Sequence, residues 1–170
     1  VKLEQPNTMQ PQPALVDFPS APPLVPMTRI ECEVAAIQSL GAAPGGERRF
    51  VPLTGGRVFG PELNGTIVEG GVDWQWLRAD GVIDIAAHYA IRADDGSLIE
   101  VSSLGVRAAS PEVTAQLARG QAVVRDAMYF RTVVRFTTGA AAWLHLNRVL
   151  AIACGARDAA LVKLDLYRVA

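Results

Sequence analysis

Alternation of apolar and polar residues governs most of this chain. In RIECEVAAI, Ile30, Cys32, Val34 and Ala36 alternate with Glu31 and Glu33, the two-residue period of a strand with one face buried. Similar runs recur near 48–53, 64–69, 72–78, 82–92, 97–106, 127–137, 143–153 and 159–169. Between them lie residues suited to turns: Thr54-Gly55-Gly56, Gly70-Gly71, Ala79-Asp80-Gly81, Asp94-Asp95-Gly96 and Thr138-Gly139. One segment breaks the period. SPEVTAQLARG, 110–120, offers Ser110 as N-cap, Pro111 at the first helical position, Glu112 in the first turn and Gly120 as the stop. About nine strands and one short helix predict an all-β antiparallel fold, a sandwich or a closed barrel, and closure would remove the free strand edges.

The alternation starts only after a proline-rich segment. Seven of the eleven prolines fall before Met27, and each fixes φ and removes a backbone donor. The expected organisation is an extended tail over 1–26 and a single domain over 27–170. The 170 residues suffice for one domain with its own core.

Composition narrows the functional classes. Sixteen basic residues stand against seventeen acidic ones, leaving no field to attract a phosphate backbone, so nucleic acid is not an expected partner. No apolar run reaches the ~18 residues of a membrane helix, no basic amphipathic run suggests a membrane surface, and no apolar leader is visible. A cytoplasmic protein without a membrane partner is the expectation. Cys32 and Cys154 lie in apolar runs without CxxC spacing and read as buried, reduced thiols. No phosphate-binding loop, GxSxG elbow or calcium loop is present, so no cofactor and no metal are assigned.

The direction of the side chains decides where function could reside. In 82–92 one face carries Asp84, Ala86, His88, Ala90 and Arg92, and the other Ile83, Ile85, Ala87, Tyr89 and Ile91. Read as a strand, 143–152 splits likewise: Trp143, His145, Asn147 and Val149 against Leu144, Leu146, Leu150 and Ile152. Either the aliphatic faces fill the interior and both histidines meet water, or the mixed faces line a cavity. Aliphatic faces usually form cores. A ligand cavity wants apolar walls with a few orienting polar groups.

GGVDWQWLRADG followed by HYAIRADDGSLIEV, with GGRVFGPELNGTI before them and YFRTVVRFTTG and LNRVLAIACG after, resembles the domain of unknown function 3237 family of small bacterial and fungal proteins. The likeness covers about 28–169. It implies a lipocalin-like antiparallel β-barrel of about 8–10 strands, often oligomeric, and no particular reaction. A barrel of this size either fills with side chains or holds one small ligand. Where the family tends to carry an Asp and an Arg before the Tyr, this chain has Ala86 and His88; where it tends to carry Trp before Leu-Asn, it has His145.

The candidate chemistry follows. Asp73 either caps the Gly70-Gly71 turn or faces a pocket, where desolvation would lift its pKa to a useful acid–base value. His88 and His145 are the other acid–base candidates; with Asp73 or Asp84 they could form a two-His, one-carboxylate site, but no spacing demands it. Trp74 and Trp76 share a face and either clasp a planar ligand or pack. Tyr89, Tyr129, Arg131 and Asn147 complete the ligand-binding candidates. The expected function is binding of a small apolar or aromatic metabolite in a central cavity. The alternatives are an acid–base enzyme on that ligand (isomerase, cyclase or hydratase) and a filled barrel serving as a homo-oligomeric assembly module.

Overall fold

A computed structural model of the chain describes residues 19–119, 121, 123–158 and 161–170. Among the described residues nine strands are present: β1 Leu24–Val34, β2 Gln38–Ala43, β3 Gly46–Phe59, β4 Gly65–Leu77, β5 Ile83–Ala93, β6 Leu98–Ala109, β7 Met128–Thr137, β8 Ala151–Arg157 and β9 Leu161–Val169. Every pairing is antiparallel, in the order β1-β9-β8-β7-β6-β5-β4-β3-β2. A further β1–β3 ladder closes eight of the strands into a barrel and leaves β2 as a flap on the first half of β3. β3 changes neighbours along its length. Residues 46–50 pair with β2, and 53–59 pair with β1.

The closure depends on Gly56. Its φ is +139°, and a Cβ there would lie 2.2 Å from the Glu31 carbonyl oxygen across the seam. Glycine alone permits that approach. Thr54-Gly55-Gly56 therefore lies within a strand and not between strands. Gly70-Gly71 is likewise internal: 64–69 and 72–78 form the single strand β4, with its register shifted between Val68 and Val72, as at a bulge. The Asp80 and Asp95 turns form as expected, each carboxylate accepting the backbone N–H two residues on, at 3.0 and 2.9 Å.

β1 begins at Leu24, so the first strand takes in three residues of the proline-rich segment. Residues 1–18, the bulk of the expected tail, lie outside the described residues. Helix α1 spans Pro111–Ala118, and Ser110 Oγ accepts from the Val113 N–H at 3.3 Å, the expected cap. The expected Gly120 stop lies outside the described residues.

The 143–153 strand is a misreading. Ala141–Arg148 is a 3₁₀-helix, and β8 starts only at Ala151. A 3₁₀-helix repeats every three residues. Leu146 is accordingly buried, with Trp143 and Val149 partly buried and packed against the core, while His145 and Leu144 are exposed. The helix is tied down at both ends. Trp143 Nε1 donates to Asp95 Oδ2 at 2.8 Å, and the Asn147 amide both accepts from the Thr138 N–H and donates to the Thr138 carbonyl, each at 2.9 Å.

Inside, the aliphatic faces win. Ile83, Ile85, Tyr89 and Ile91 of β5 are buried, whereas His88 and Arg92 are exposed. One end of the barrel is solid, filled by Met27, Ile30, Leu63, Ile91, Ile99 and Leu146. The other end is not. Outside, one register row runs Phe50–Trp74–Ala86–Leu104–Val133–Ile152 across six strands, and Leu104 and Val133 are exposed.

Candidate functional site

The open end of the barrel narrows to a funnel. Its mouth, about 430 Å³, has apolar walls from Val34, Ile37, Leu77, Ile83, Ala109 and Leu117, and three arginines, Arg49, Arg107 and Arg157. Below lies an inner cavity of about 40 Å³, walled by Val51, Ile85, Phe130 and Leu164 with Cys32, Asp73 and Tyr89 among them. Arg157 lines both compartments. The inner volume accommodates a water molecule or a small ligand group.

Strand parity places these groups. Asp73 and Gln75 of β4 alternate inward between the outward Trp74 and Trp76. Arg107 of β6 shares the inward set with Val101, Ser103 and Gly105. Gly71 matters here: a Cβ on it would lie 2.4 Å from the Tyr89 Cβ, so the second glycine of GGVDWQW makes room for the tyrosine that faces the cavity. Gly155 does the same for Phe130, whose ring atoms would sit 2.3 Å from an added Cβ.

A short chain of polar side chains crosses the interior. Arg49 Nε donates to Gln75 Oε1 at 3.1 Å, and Gln75 Nε2 donates to Asp73 Oδ2 at 2.5 Å. Gln75 is 1% exposed, so both of its bonds form away from water. The other carboxylate oxygen, Asp73 Oδ1, is buried without a hydrogen-bond partner, and so is the Tyr89 hydroxyl. Both residues line the inner cavity. Natural proteins leave few such atoms unpaired, because each costs about 1–3 kcal/mol.

The electrostatics match this burial. Burial holds the Asp73 carboxyl above its ordinary range, against the opposing pull of the Gln75 hydrogen bond, of Arg107 and Arg157, and of the Ala86 backbone N–H. The Cys32 thiol is pushed up to about 12 by burial, with Asp73 and Glu33 adding to it. The Tyr89 phenol is also raised, chiefly by burial. Burial lowers Arg107 to about 10, with Arg157 and Arg49 adding to it, and lowers Arg157 for the same first reason.

Of the residues expected from sequence, Asp73 and Tyr89 meet at the cavity and the others do not. His88 points outward and meets Glu100 at 2.9 Å. His145 is exposed on the 3₁₀-helix, its ring 6.1 Å from that of Trp143. Trp74 and Trp76 face outward and flank the Arg48 guanidinium, which lies 5.1 Å from each ring. Tyr129 is exposed, with Arg131 stacked on it at 5.3 Å. Asn147 pins the Thr138 turn. Asp84 pairs with Arg78 on the surface. Among the described residues, no group of three His, Cys, Asp or Glu side chains comes together as metal ligands. No helix among them is long and apolar enough to cross a membrane. Cys32 and Cys154 are not joined to each other in a disulfide, and Cys32 lines the cavity. Sequence reasoning missed Gln75, Arg49, Arg107 and Arg157. The signal for Arg107 was its parity with Val101 and Ser103, one residue past the expected end of that strand.

The family model for proteins of unknown function DUF3237 matches residues 22–169. The chain belongs to this family. A UPF0311 protein of Rhodopseudomonas palustris is 34% identical over 140 residues, covering 82% of this DUF3237 chain and 92% of that protein. The crystal structure of a conserved R. palustris protein of unknown function superposes with a TM-score of 0.86 at 31% identity, over 90% of this chain and all of that one (100%). A β-barrel-like protein of Acinetobacter baumannii gives 0.76 at 32% identity, over 89% and 98% of the two chains. The closed barrel is thus the architecture of this DUF3237 protein and of its solved relatives.

Proposed function

We propose that this protein binds a small, largely apolar or aromatic metabolite in the funnel, with a hydroxyl of the ligand seated between Asp73 and Tyr89. The observation that carries this reading is the pair of buried, unpartnered atoms on the inner cavity, an acceptor on Asp73 and a phenol on Tyr89. A ligand hydroxyl both donates and accepts, so one such group serves both. Apolar walls with a few converging polar groups are the composition of a small-molecule site.

A second reading adds chemistry, and Asp73 alone favours it. A carboxyl whose affinity for its proton is increased by burial, with one oxygen bare, is suited to taking a proton from that hydroxyl and returning it. Gln75, held in turn by Arg49, fixes the other oxygen. In this reading Asp73 is the acid–base group and Tyr89 orients the ligand.

The test is calorimetric titration with 2-naphthol and with its methyl ether. Wild type is expected to prefer the naphthol, and Asp73→Asn and Tyr89→Phe each to weaken it about tenfold, the size of one buried hydrogen bond. Equal affinity for naphthol and ether, unchanged in both variants, would overturn the reading.

A further inference from the structure

Four arginines on the outside of this barrel are matched with acids. Arg29 meets Asp165 at 2.5 Å, Arg57 meets Glu31 at 2.6 Å, Arg168 meets Glu62 at 3.0 Å, and Arg78 meets Asp84. The three at the mouth are not. Among the described residues, no carboxylate lies within ion-pair distance of Arg49, Arg107 or Arg157. Asp73 acts on Arg107 and Arg157 only as a charge at longer range. Asp158, at the rim, is held by Lys163 at 3.1 Å. With Asp73 ionised, three cations and one anion leave the funnel at a net +2 (3 − 1); with Asp73 protonated it is +3.

This charge is poorly solvated. Arg107 is 9% exposed, and a buried cation without a partner is costly. Deprotonation offers no escape, since even the lowered value of about 10 leaves Arg107 charged at neutral pH. The walls around the guanidiniums are apolar: Val34, Ile37, Leu77, Ile83, Ala109 and Leu117. Converging guanidiniums suit a planar anion, which accepts two parallel N–H bonds from each fork.

We infer that the ligand is an amphipathic carboxylate of the hydroxyaryl-acid class, its carboxylate held at the mouth by Arg49, Arg107 and Arg157 and its hydroxyl at the floor by Asp73 and Tyr89. This inference rests on the funnel being the ligand site proposed above. It adds the head group and the orientation: the anion remains at the entrance, and the aromatic body passes down the apolar walls. Arg157, which lines both compartments, bridges the two ends.

The experiment is calorimetry on the full chain with 4-hydroxycinnamate, its methyl ester and inorganic phosphate. The acid is expected to bind about tenfold or more tightly than the ester, as for loss of a charge-assisted contact. Phosphate, lacking the apolar body, is expected to bind more weakly than the acid. Arg157→Gln is expected to shrink the advantage of the acid over the ester, with Arg49 and Arg107 still facing the carboxylate. Because the comparison of acid with ester is made on wild type, it holds even if the variant fails to fold. Acid and ester binding alike would overturn the head-group assignment and leave the cavity reading standing. Phosphate binding as tightly as the acid would overturn the amphipathic class. Failure of both acid and ester to bind would overturn the inference together with the cavity reading.

Discussion

Replacing Tyr89 with Phe should make the unliganded protein more stable. The tyrosine is 7% exposed, and its hydroxyl is buried with no partner. Folding strips water from that hydroxyl and returns nothing. Removing it relieves the desolvation penalty of one unsatisfied group, about 1–3 kcal/mol. The ring itself is retained, so packing is unchanged to within one oxygen atom. For a chain of this length each kcal/mol moves Tm by ~2–4 °C, so scanning calorimetry should find a rise of several degrees, and urea unfolding a higher midpoint at unchanged slope. The same variant should bind 2-naphthol less well, which makes the hydroxyl a group retained at the expense of stability. A variant about 1 kcal/mol less stable than wild type would refute the reasoning. It would mean that the hydroxyl has a partner in solution, an ordered water in the inner cavity being the simplest, and that the tyrosine is structural.

Two further predictions concern the same interior. Burial raises the Asp73 pKa, so the folded protein holds this proton to higher pH than the unfolded chain. That share of stability is full below the ordinary carboxyl value of about 3.9 and is lost as pH rises through the folded pKa. Asp73→Asn should therefore gain on wild type between pH 4 and pH 8 in urea unfolding, and a constant difference would exclude the buried-carboxyl account. At Gly155, an alanine Cβ would fall 2.3 Å from the Phe130 ring; Gly155→Ala should cost about 1–3 kcal/mol by overpacking, and adding Phe130→Leu should recover part of it. Additive losses in the double variant would show that the two positions do not touch.

The strands were legible where one face is buried. In β5 the period of two separates Ile83, Ile85, Tyr89 and Ile91 from His88 and Arg92, and that division is the one observed. It failed at 143–148 because an alternating polarity such as WLHLNR also fits a period of three: Trp143, Leu146 and Val149 face in, and the 3₁₀-helix hides behind a strand-like pattern. Glycine pairs misled for a related reason. A residue that tolerates positive φ serves a turn, but it equally serves the close approach of two strands, as Gly56 and Gly71 do. Two groups of the candidate site were visible, Asp73 and Tyr89. The arginines were not, because a charged residue in an alternating run reads as solvent-facing; only closure of the sheet turns Arg107 and Arg157 toward one another. The two histidines, conspicuous for their rarity, stand on the outer surface.

The barrel is plugged at one end and open at the other, and this sets rules for traffic. A sac with one doorway cannot pass a molecule through. Whatever enters must back out along the same path before the next can follow, so occupants exclude one another. In a carrier, every ligand would compete with every other regardless of where along the funnel it binds. In an enzyme, product would inhibit in strict competition with substrate, and direct hand-over to a second protein could happen only at the rim that carries Arg49, Arg107 and Arg157.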